Sequence, residues 1–308
     1  MFKISILAKW AVCALGASWA LVNELQAQKD APPFRVMTYN VWNGFDQGKD
    51  LNRKKECIAW IKSREPDVLA LQELCGYTEE QLQEDAKAWD HQYVQLLKTD
   101  GYPTALTSKK PIVLKERAID SFWHGMLHCK TFGIDFFVVH LSPADAATRF
   151  REARQIAARI GNLQNDAYMI LGDFNAFSPM DAQHMEKKNM LRERYAQSAN
   201  DAHSNLQFGE FDYTVMATFL ALPGIDVCLG KIDLQKGYSF PTSALLGNYD
   251  HTVQSLMANR QRIDFILASP VLAKSCTQAQ VLNQEGTHQL SDHYPVMAEF
   301  HRMKIPKN

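Results

Sequence analysis

The sequence predicts an α/β fold built on mixed sheets, and three observations carry that reading. Short apolar strand-like runs mix with amphipathic helical stretches from residue 34 onward, with no repeat or composition shift to mark a second domain. Four of the runs finish on a residue able to bind metal or carry a proton: Asn40, Glu73, His140 and Asp173. The last two runs reverse that order: Asp264 opens one, and Asp292 and His293 precede the other. If all these groups share one sheet edge, the last two strands run antiparallel to the first four.

Residues 1–27 stand apart from the fold. Lys3 and Lys9 lead into an apolar run over 10–22, and a polar stretch with Ala27 follows. Such a run suits an export signal and falls short of the ~20 residues that span a bilayer. The expectation is a signal peptide and a periplasmic or extracellular protein, with an uncleaved membrane anchor as the rival. Residues 28–33 then form a short linker, 34–302 the domain and 303–308 a tail.

Each later stretch has its local reason. "FRVMTYNV" (34–41) is apolar on both faces, as a central strand requires. "LNRKKECIAWIKSREP" (51–66) puts Leu51, Ile58 and Ile61 on one helical face and stops at Pro66. "DVLALQE" (67–73) is a second buried strand. Thr78 and Gln81 form a capping box for a surface helix over 78–89. "PIVLKERAI" (111–119), "SFWHGMLHCK" (121–130) and "FGIDFFVVHL" (132–141) read as consecutive strands. The clearest helix covers 145–162: Asp145 caps it, Ala147, Phe150, Ala157 and Ile160 form its buried stripe, and Gly161 ends it. A helix is expected near 180–190, then a loop-rich stretch to 260. "RIDFILAS" (262–269) and "YPVMAEFH" (294–301) are the final strands.

Composition narrows the classes. The 308 residues are 46% hydrophobic and 22% charged, which excludes a disordered chain. Lys+Arg 33 against Asp+Glu 34 gives a formal charge of −1, so the whole molecule has no pull toward nucleic acid or anionic membrane. A local strip of Lys109, Lys110, Lys115 and Arg117 could track a phosphate backbone or protect a sheet edge. Apart from Cys13 in the leader, the cysteines show no C-x-x-C spacing, so a zinc cluster or redox pair is unsupported. They read mostly as small buried residues, and one or two disulfides would suit an oxidising compartment. Neither the G-x-G-x-x-G loop nor the P-loop motif is present, which agrees with mixed sheets in counting against a purely parallel dinucleotide-binding fold.

"ILGDFNAFSP" (170–179) poses the functional question, because a buried strand ends on Asp173 and Asn175. A turn would explain the pair alone. The recurrence of such groups at other strand ends favours a site. His124 and His128, four apart on one expected strand, would face the same side.

Taken in order, "TYNVWNG", "DVLALQE", "VVHLSP", "ILGDFNAFSP", "RIDFILAS" and "LSDHYPV" resemble the deoxyribonuclease I-like endonuclease/exonuclease/phosphatase superfamily, from about residue 34 to 300. The resemblance implies a four-layer α/β/β/α sandwich of two mixed β-sheets flanked by helices, with the site at one end. It also implies phosphate-ester hydrolysis by in-line attack of water with Mg²⁺, or Mn²⁺ as substitute. On that pattern Glu73 is the main metal ligand, Asn40 supports it and Asp292 adds to the shell. Asp173 aligns and deprotonates the attacking water, and Asn175 holds a phosphoryl oxygen. Asp264 fixes His293, which faces the phosphate together with His140. His124, His251 and Lys109 are further candidates for touching substrate.

Trp42 departs from the pattern, because abasic-site endonucleases usually carry an acid there; a dedicated repair enzyme is disfavoured. The expectation is a secreted, monomeric Mg²⁺-dependent phosphoesterase with no stable protein partner. Its substrate would be a small molecule, a lipid headgroup or, alternatively, nucleic acid. The rival from another class, an inactive binding protein on the same fold, should have lost some of these groups.

Overall fold

The computed structural model describes residues 32–197, 204–249, 251–284 and 286–301. The expected signal peptide, residues 28–31 of the linker, Asp250 and the tail lie outside the described residues.

Two six-stranded mixed sheets form the centre. In chain order the first contains β1 (Phe34–Asn40), β2 (Val68–Gln72), β3 (Tyr93–Leu96) and β4 (Ala105–Ser108). The second begins with β5 (Val113–Ala118), β6 (Met126–Thr131), β7 (Ile134–His140) and β8 (Tyr168–Asp173). A small hairpin, β9 (Leu206–Gln207) and β10 (Glu210–Phe211), stands apart. β11 (Ile225–Asp226) and β12 (Asp264–Ala268) complete the second sheet; β13 (Cys276–Val281) and β14 (Val296–Phe300) complete the first. The strand orders are β13-β14-β1-β2-β4-β3 and β11-β12-β8-β7-β6-β5.

Strand alternation builds the layers. Val36, Val68, Ala70, Phe136, Val138, Met169, Leu171, Ile266 and Ala268 share one buried cluster between the sheets. Their neighbours of opposite parity face helices. Met37, Tyr39, Leu69 and Leu71 pack on Cys57 and Ile61 of α1 (Leu51–Arg64) and on Leu82 and Ala86 of α2 (Glu79–Ala88). Phe137, Val139, Ile170, Phe265 and Leu267 pack on α3 (Ala146–Gly161) and the short helix Thr214–Leu220. This is the four-layer arrangement the resemblance implies. The same alternation assigns Asn40, His140, Asp173 and Asp264 to the face between the sheets.

Polarity is as the strand ends required. β1 and β2 are parallel, as are β7 and β8, while β14 and β12 run antiparallel to β1 and β8. His140 stands beside Asp173, and Asp173 beside Asp264, in register.

Several local expectations need correction. The stretch 121–130 is a strand only from Met126; His124 sits in the preceding bend and does not share a strand face with His128. In α1 Leu51 is 68% exposed, and Arg53 takes the buried position with Cys57 and Ile61. In α3 the buried stripe is Ala146, Arg149, Glu152, Ala153, Ile156 and Ile160, with Ala147 exposed. Both charged side chains are buried because backbone groups satisfy them, which hydropathy alone does not reveal. The helix near 180–190 is broken into Pro179–Asp181, Ala182–Met185 and Asn189–Gln197. Strands β3, β4 and β13 were not expected. Among the described residues Cys57, Cys75, Cys129, Cys228 and Cys276 form no disulfide. The two expected caps, Asp145 on α3 and the Thr78–Gln81 box on α2, are present.

Candidate active site

The site begins with β8. Gly172 has φ +142°, and a Cβ there would lie 1.9 Å from the Val139 carbonyl oxygen, so only glycine allows β7 and β8 this approach. The next residue, Asp173, is buried between the sheets. Its Oδ1 accepts from the Asn175 backbone N–H at 2.9 Å, and the Asn175 amide donates to the Leu141 carbonyl at 3.0 Å. The exits of β7 and β8 are tied together there.

Glu73 follows the last residue of β2, and strand parity would turn it toward the helices. Its left-handed φ of +62° breaks that parity. Asn40 Nδ2 donates to Glu73 Oε1 at 3.1 Å and to Asp173 Oδ2 at 3.2 Å, bridging the two sheets. The Asn40 oxygen is taken by the Trp42 N–H at 3.1 Å. As placed, Asn40 therefore offers Glu73 its amide hydrogens, not the oxygen expected beside a cation.

The chain after Asn40 is unusual. Residues 42–47 all have φ between +48° and +60°. A Cβ on Gly44 would lie 2.3 Å from the Cys75 carbonyl oxygen. Left-handed backbone costs about 1–2 kcal/mol per non-glycine residue, so the segment needs external support. Arg53 supplies much of it, donating to the Val41, Trp42 and Leu290 carbonyls at 3.0, 3.0 and 3.1 Å. Its guanidinium also lies over the rings of Trp42 and Phe45. The outcome is local and useful: Asn43 N–H points at Glu73 Oε2, 2.8 Å away.

His293 Nδ1 meets Asp264 Oδ2 at 2.8 Å, and its Nε2 lies 3.7 Å from Asp173 Oδ2. Against the penalty of burial, Asp264 and then Asp173 hold the imidazole pKa well above its ordinary value. Ser239 Oγ fixes the start of β12 by accepting from Ile263 and Asp264 N–H. Ser291 Oγ donates to the Asn40 carbonyl at 2.7 Å, joining the 291–293 loop to β1.

His140 Nε2 lies 3.6 Å from Asp173 Oδ2 and 3.9 Å from Glu73 Oε1, while its buried Nδ1 has no hydrogen-bond partner among the described residues. Burial, then His293, lower its pKa to about 3. Its ring stacks on His124 at 4.1 Å between centroids. Burial, then His140, lower His124 to about 2. Both imidazoles are therefore neutral near pH 7. Asp173 is pushed up to about 8 by burial and then by Asp264; Asp292 is pushed up to about 7 by burial, with Glu73 adding.

The structure thus brings together Asn40, Glu73, His140, Asp173, Asn175, Asp264, His293 and His124, with Asp292 beside them in the electrostatics. It does not bring Lys109 there. Lys109 follows β4, whose Ser108 pairs with Val68 at the start of β2, so it lies a strand length away, roughly 15 Å at about 3.4 Å per residue. It pairs with Asp67 at 3.3 Å. His128 is also at that end, bonded to Asp135 at 2.9 Å. His251 sits in a turn, its backbone bonded to Gly247 and Asn248. The supporting roles of Arg53, Ser239, Ser291 and Glu152 were missed. Each is a charged or hydroxyl residue in an ordinary polar stretch, and sequence carries no signal that it is buried.

Donor chemistry tests a cation here. Asp173, Asp264 and His293 place ligand-capable atoms within 4.8 Å of one another. The His293 Nδ1 is already held by Asp264, however, so this trio suits proton and phosphate chemistry better than coordination. Glu73 and Asp292 offer hard oxygen donors next to an anionic cluster in which His293 is the buried cation. That set fits a hard divalent ion.

Two mixed sheets between helices, with carboxylates, amides and imidazoles meeting at one end, suit the hydrolysis of phosphate esters. The chain belongs to the Endonuclease/Exonuclease/phosphatase family, whose sequence model matches residues 37–293, and is a metal-dependent phosphoester hydrolase. No curated protein matches it. Among solved structures it is similar to an AP endonuclease from Archaeoglobus fulgidus, at TM-score 0.67 and 19% identity, over 87% of this chain and 99% of that one. It is also similar to the 3′ phosphatase NExo from Neisseria bound to a product DNA hairpin, at TM-score 0.61 and 18% identity, over 87% and 99% of the two chains. The 3′-5′ exonuclease NExo from Neisseria meningitidis aligns at TM-score 0.61 and 17% identity, over 87% and 100%. At these identities the likeness is one of fold.

Proposed function

We propose that this protein is an exported, Mg²⁺-dependent phosphoesterase whose site is the strand-end cluster. The observation that supports this most is the line Asp264, His293, Asp173, set beside Glu73 by the Asn40 bridge. Glu73 and Asp292 would hold the cation, which supplies charge neutralisation at the phosphate and a more acidic bound water. Mn²⁺ would substitute.

The chain's own residues do the rest. Asp173 orients the attacking water and, with a bound cation and His293 favouring its ionised form, would take the proton. His293, kept cationic by Asp264, faces the charge that develops on the phosphoryl group. His140 is neutral and serves as a hydrogen-bonding group. Asn175, whose amide already holds Leu141, has a second N–H for a phosphoryl oxygen. Export is supported by the lysines and apolar run of residues 1–27.

The test is hydrolysis of a panel of plasmid DNA, RNA, sphingomyelin and inositol phosphates, with and without EDTA. At least one phosphate ester should be cleaved, the activity lost in EDTA and restored by Mg²⁺ or Mn²⁺. Undiminished cleavage in EDTA would overturn the cation assignment. The inactive-scaffold reading predicts no cleavage at all.

A further inference from the structure

The catalytic cluster has an aromatic wall on one side. The stacked His124 and His140 form its floor, with ring planes 19° apart. Tyr102 stands edge-on to both, 5.2 Å from His124 and 6.4 Å from His140. Trp123 stands edge-on to His124 at 6.5 Å. Yet Tyr102 is 42% exposed, Trp123 54% and Tyr249 76%. Tyr102 is close to the chemistry: its phenol is raised by burial and then by Glu73, with Tyr249 among the groups acting on it. Isolated exposed rings are ordinary; several gathered beside a polar site mark a binding surface.

The wall is held in place. Glu152 of α3 is buried, and its two carboxylate oxygens accept from Trp123 N–H at 2.7 Å and Ser142 N–H at 2.8 Å. One side chain therefore sets the spacing between the bend carrying Trp123 and His124 and the segment following His140.

Charge restricts what this wall can accept. Lys98 acts on His124. Three of the strip's four cations are engaged elsewhere: Lys109 with Asp67 at the far end, Lys110 over the Phe132 ring, and Arg117 with Leu96, Gln95 and Glu79. A polyphosphate or a duplex needs a row of cations along its backbone. A single phosphate joined to a flat neutral ring needs a stacking face.

Building on the phosphoesterase reading above, we propose that the exposed rings of Tyr102 and Trp123, backed by the buried His124–His140 stack, form a subsite for one planar ring of a small, nucleotide-like phosphate ester. The ring stacks on the wall while its phosphate lies among Glu73, Asp173 and His293.

The test is calorimetric binding to the full-length protein with Mg²⁺, using inorganic phosphate, ribose 5-phosphate, adenosine 5′-monophosphate, phosphocholine and a short DNA duplex. The adenosine ester should bind roughly tenfold or more tighter than ribose 5-phosphate, the gain expected of one stacked base. Trp123→Ala and Tyr102→Ala should each remove most of that ratio without weakening inorganic phosphate, and Trp123→Phe should keep it. Equal binding of the adenosine and ribose esters would overturn the subsite. Phosphocholine binding as tightly as the adenosine ester would replace it with a cation cage. A duplex binding more tightly than the adenosine ester would overturn the small-substrate assignment. If even inorganic phosphate fails to bind, the phosphoesterase reading beneath the proposal falls instead.

Discussion

Each end of the sandwich carries a buried His–Asp pair of nearly the same length, and the two behave in opposite ways. At the far end His128 meets Asp135 at 2.9 Å; at the site His293 meets Asp264 at 2.8 Å. The far pair is closed. Asp135 also accepts from Asn165 at 3.0 Å, Lys130 lies 3.9 Å away, and the His128 ring stacks on Phe137. Against burial, the bonds from His128 and Asn165 hold the Asp135 carboxyl below its ordinary pKa. The near pair is open. Among the described residues Asp264 Oδ1 and His140 Nδ1 have no hydrogen-bond partner, and Asp173 is pushed up to about 8 by burial. A satisfied pair stabilises; an array with unpartnered polar atoms and carboxyls held above their ordinary pKa is built to receive something.

Substitutions should separate the two ends, the largest effect first. Asp173→Asn or His293→Ala should lower kcat by about a thousandfold or more while the circular dichroism spectrum stays native. Unchanged rates in both variants would remove the site assignment. Asp135→Asn or His128→Ala should do the reverse, lowering stability by roughly 1–3 kcal/mol in denaturant melts with kcat unaltered. Substantial loss of activity without loss of stability at the far end would erase the contrast.

Protons and cations sharpen the difference. The folded carboxyls of Asp173 and Asp292 titrate near 8 and 7, against an ordinary 3.8. Between about pH 4 and 8 the folded state thus holds protons that the unfolded chain releases, so stability falls as pH rises. His293 acts in the same direction: its contribution is complete below its unfolded value of 6.5 and is lost as pH climbs through its raised folded value. Below about pH 6.5 the buried neutral imidazoles of His124 and His140 act the other way, so without divalent cations the Tm should drop from about pH 7 to about pH 9, and Mg²⁺ should counter the drop. A rising Tm over that range would contradict this account. The smallest effect is expected from Lys109→Ala. Its pair with Asp67 is partly exposed, so stability should change by no more than about 1 kcal/mol and activity not at all.

Much of this was legible because strand ends are short-range features. Asn40, Glu73, His140 and Asp173 each follow an apolar run, and the reversed order at Asp264 and His293 announced antiparallel strands. What sequence could not show were groups whose role depends on distant partners. Arg53 lies in "NRKKE" and Glu152 in "RFREAR", stretches that read as solvent-facing. Each is buried by backbone groups far along the chain: Leu290 for Arg53, Trp123 for Glu152. The same limit misassigned the inner faces of α1 and α3. His124 and His128 looked equivalent at a spacing of four; the bend before Met126 sent one to each end of the molecule.

Because the functional side chains reach the space between the sheets by counting along alternating strands, the reading frame of each strand is part of the site. Deleting one residue within β8 would put Gly172's neighbour on the helix side and empty the position opposite Asp264, whereas a two-residue deletion would restore the facing but shorten the strand. Length variation among descendants of this chain should therefore collect in loops such as 227–239 and spare β1, β7, β8 and β12. A library of single-codon insertions would map the catalytic strands without any substrate in hand.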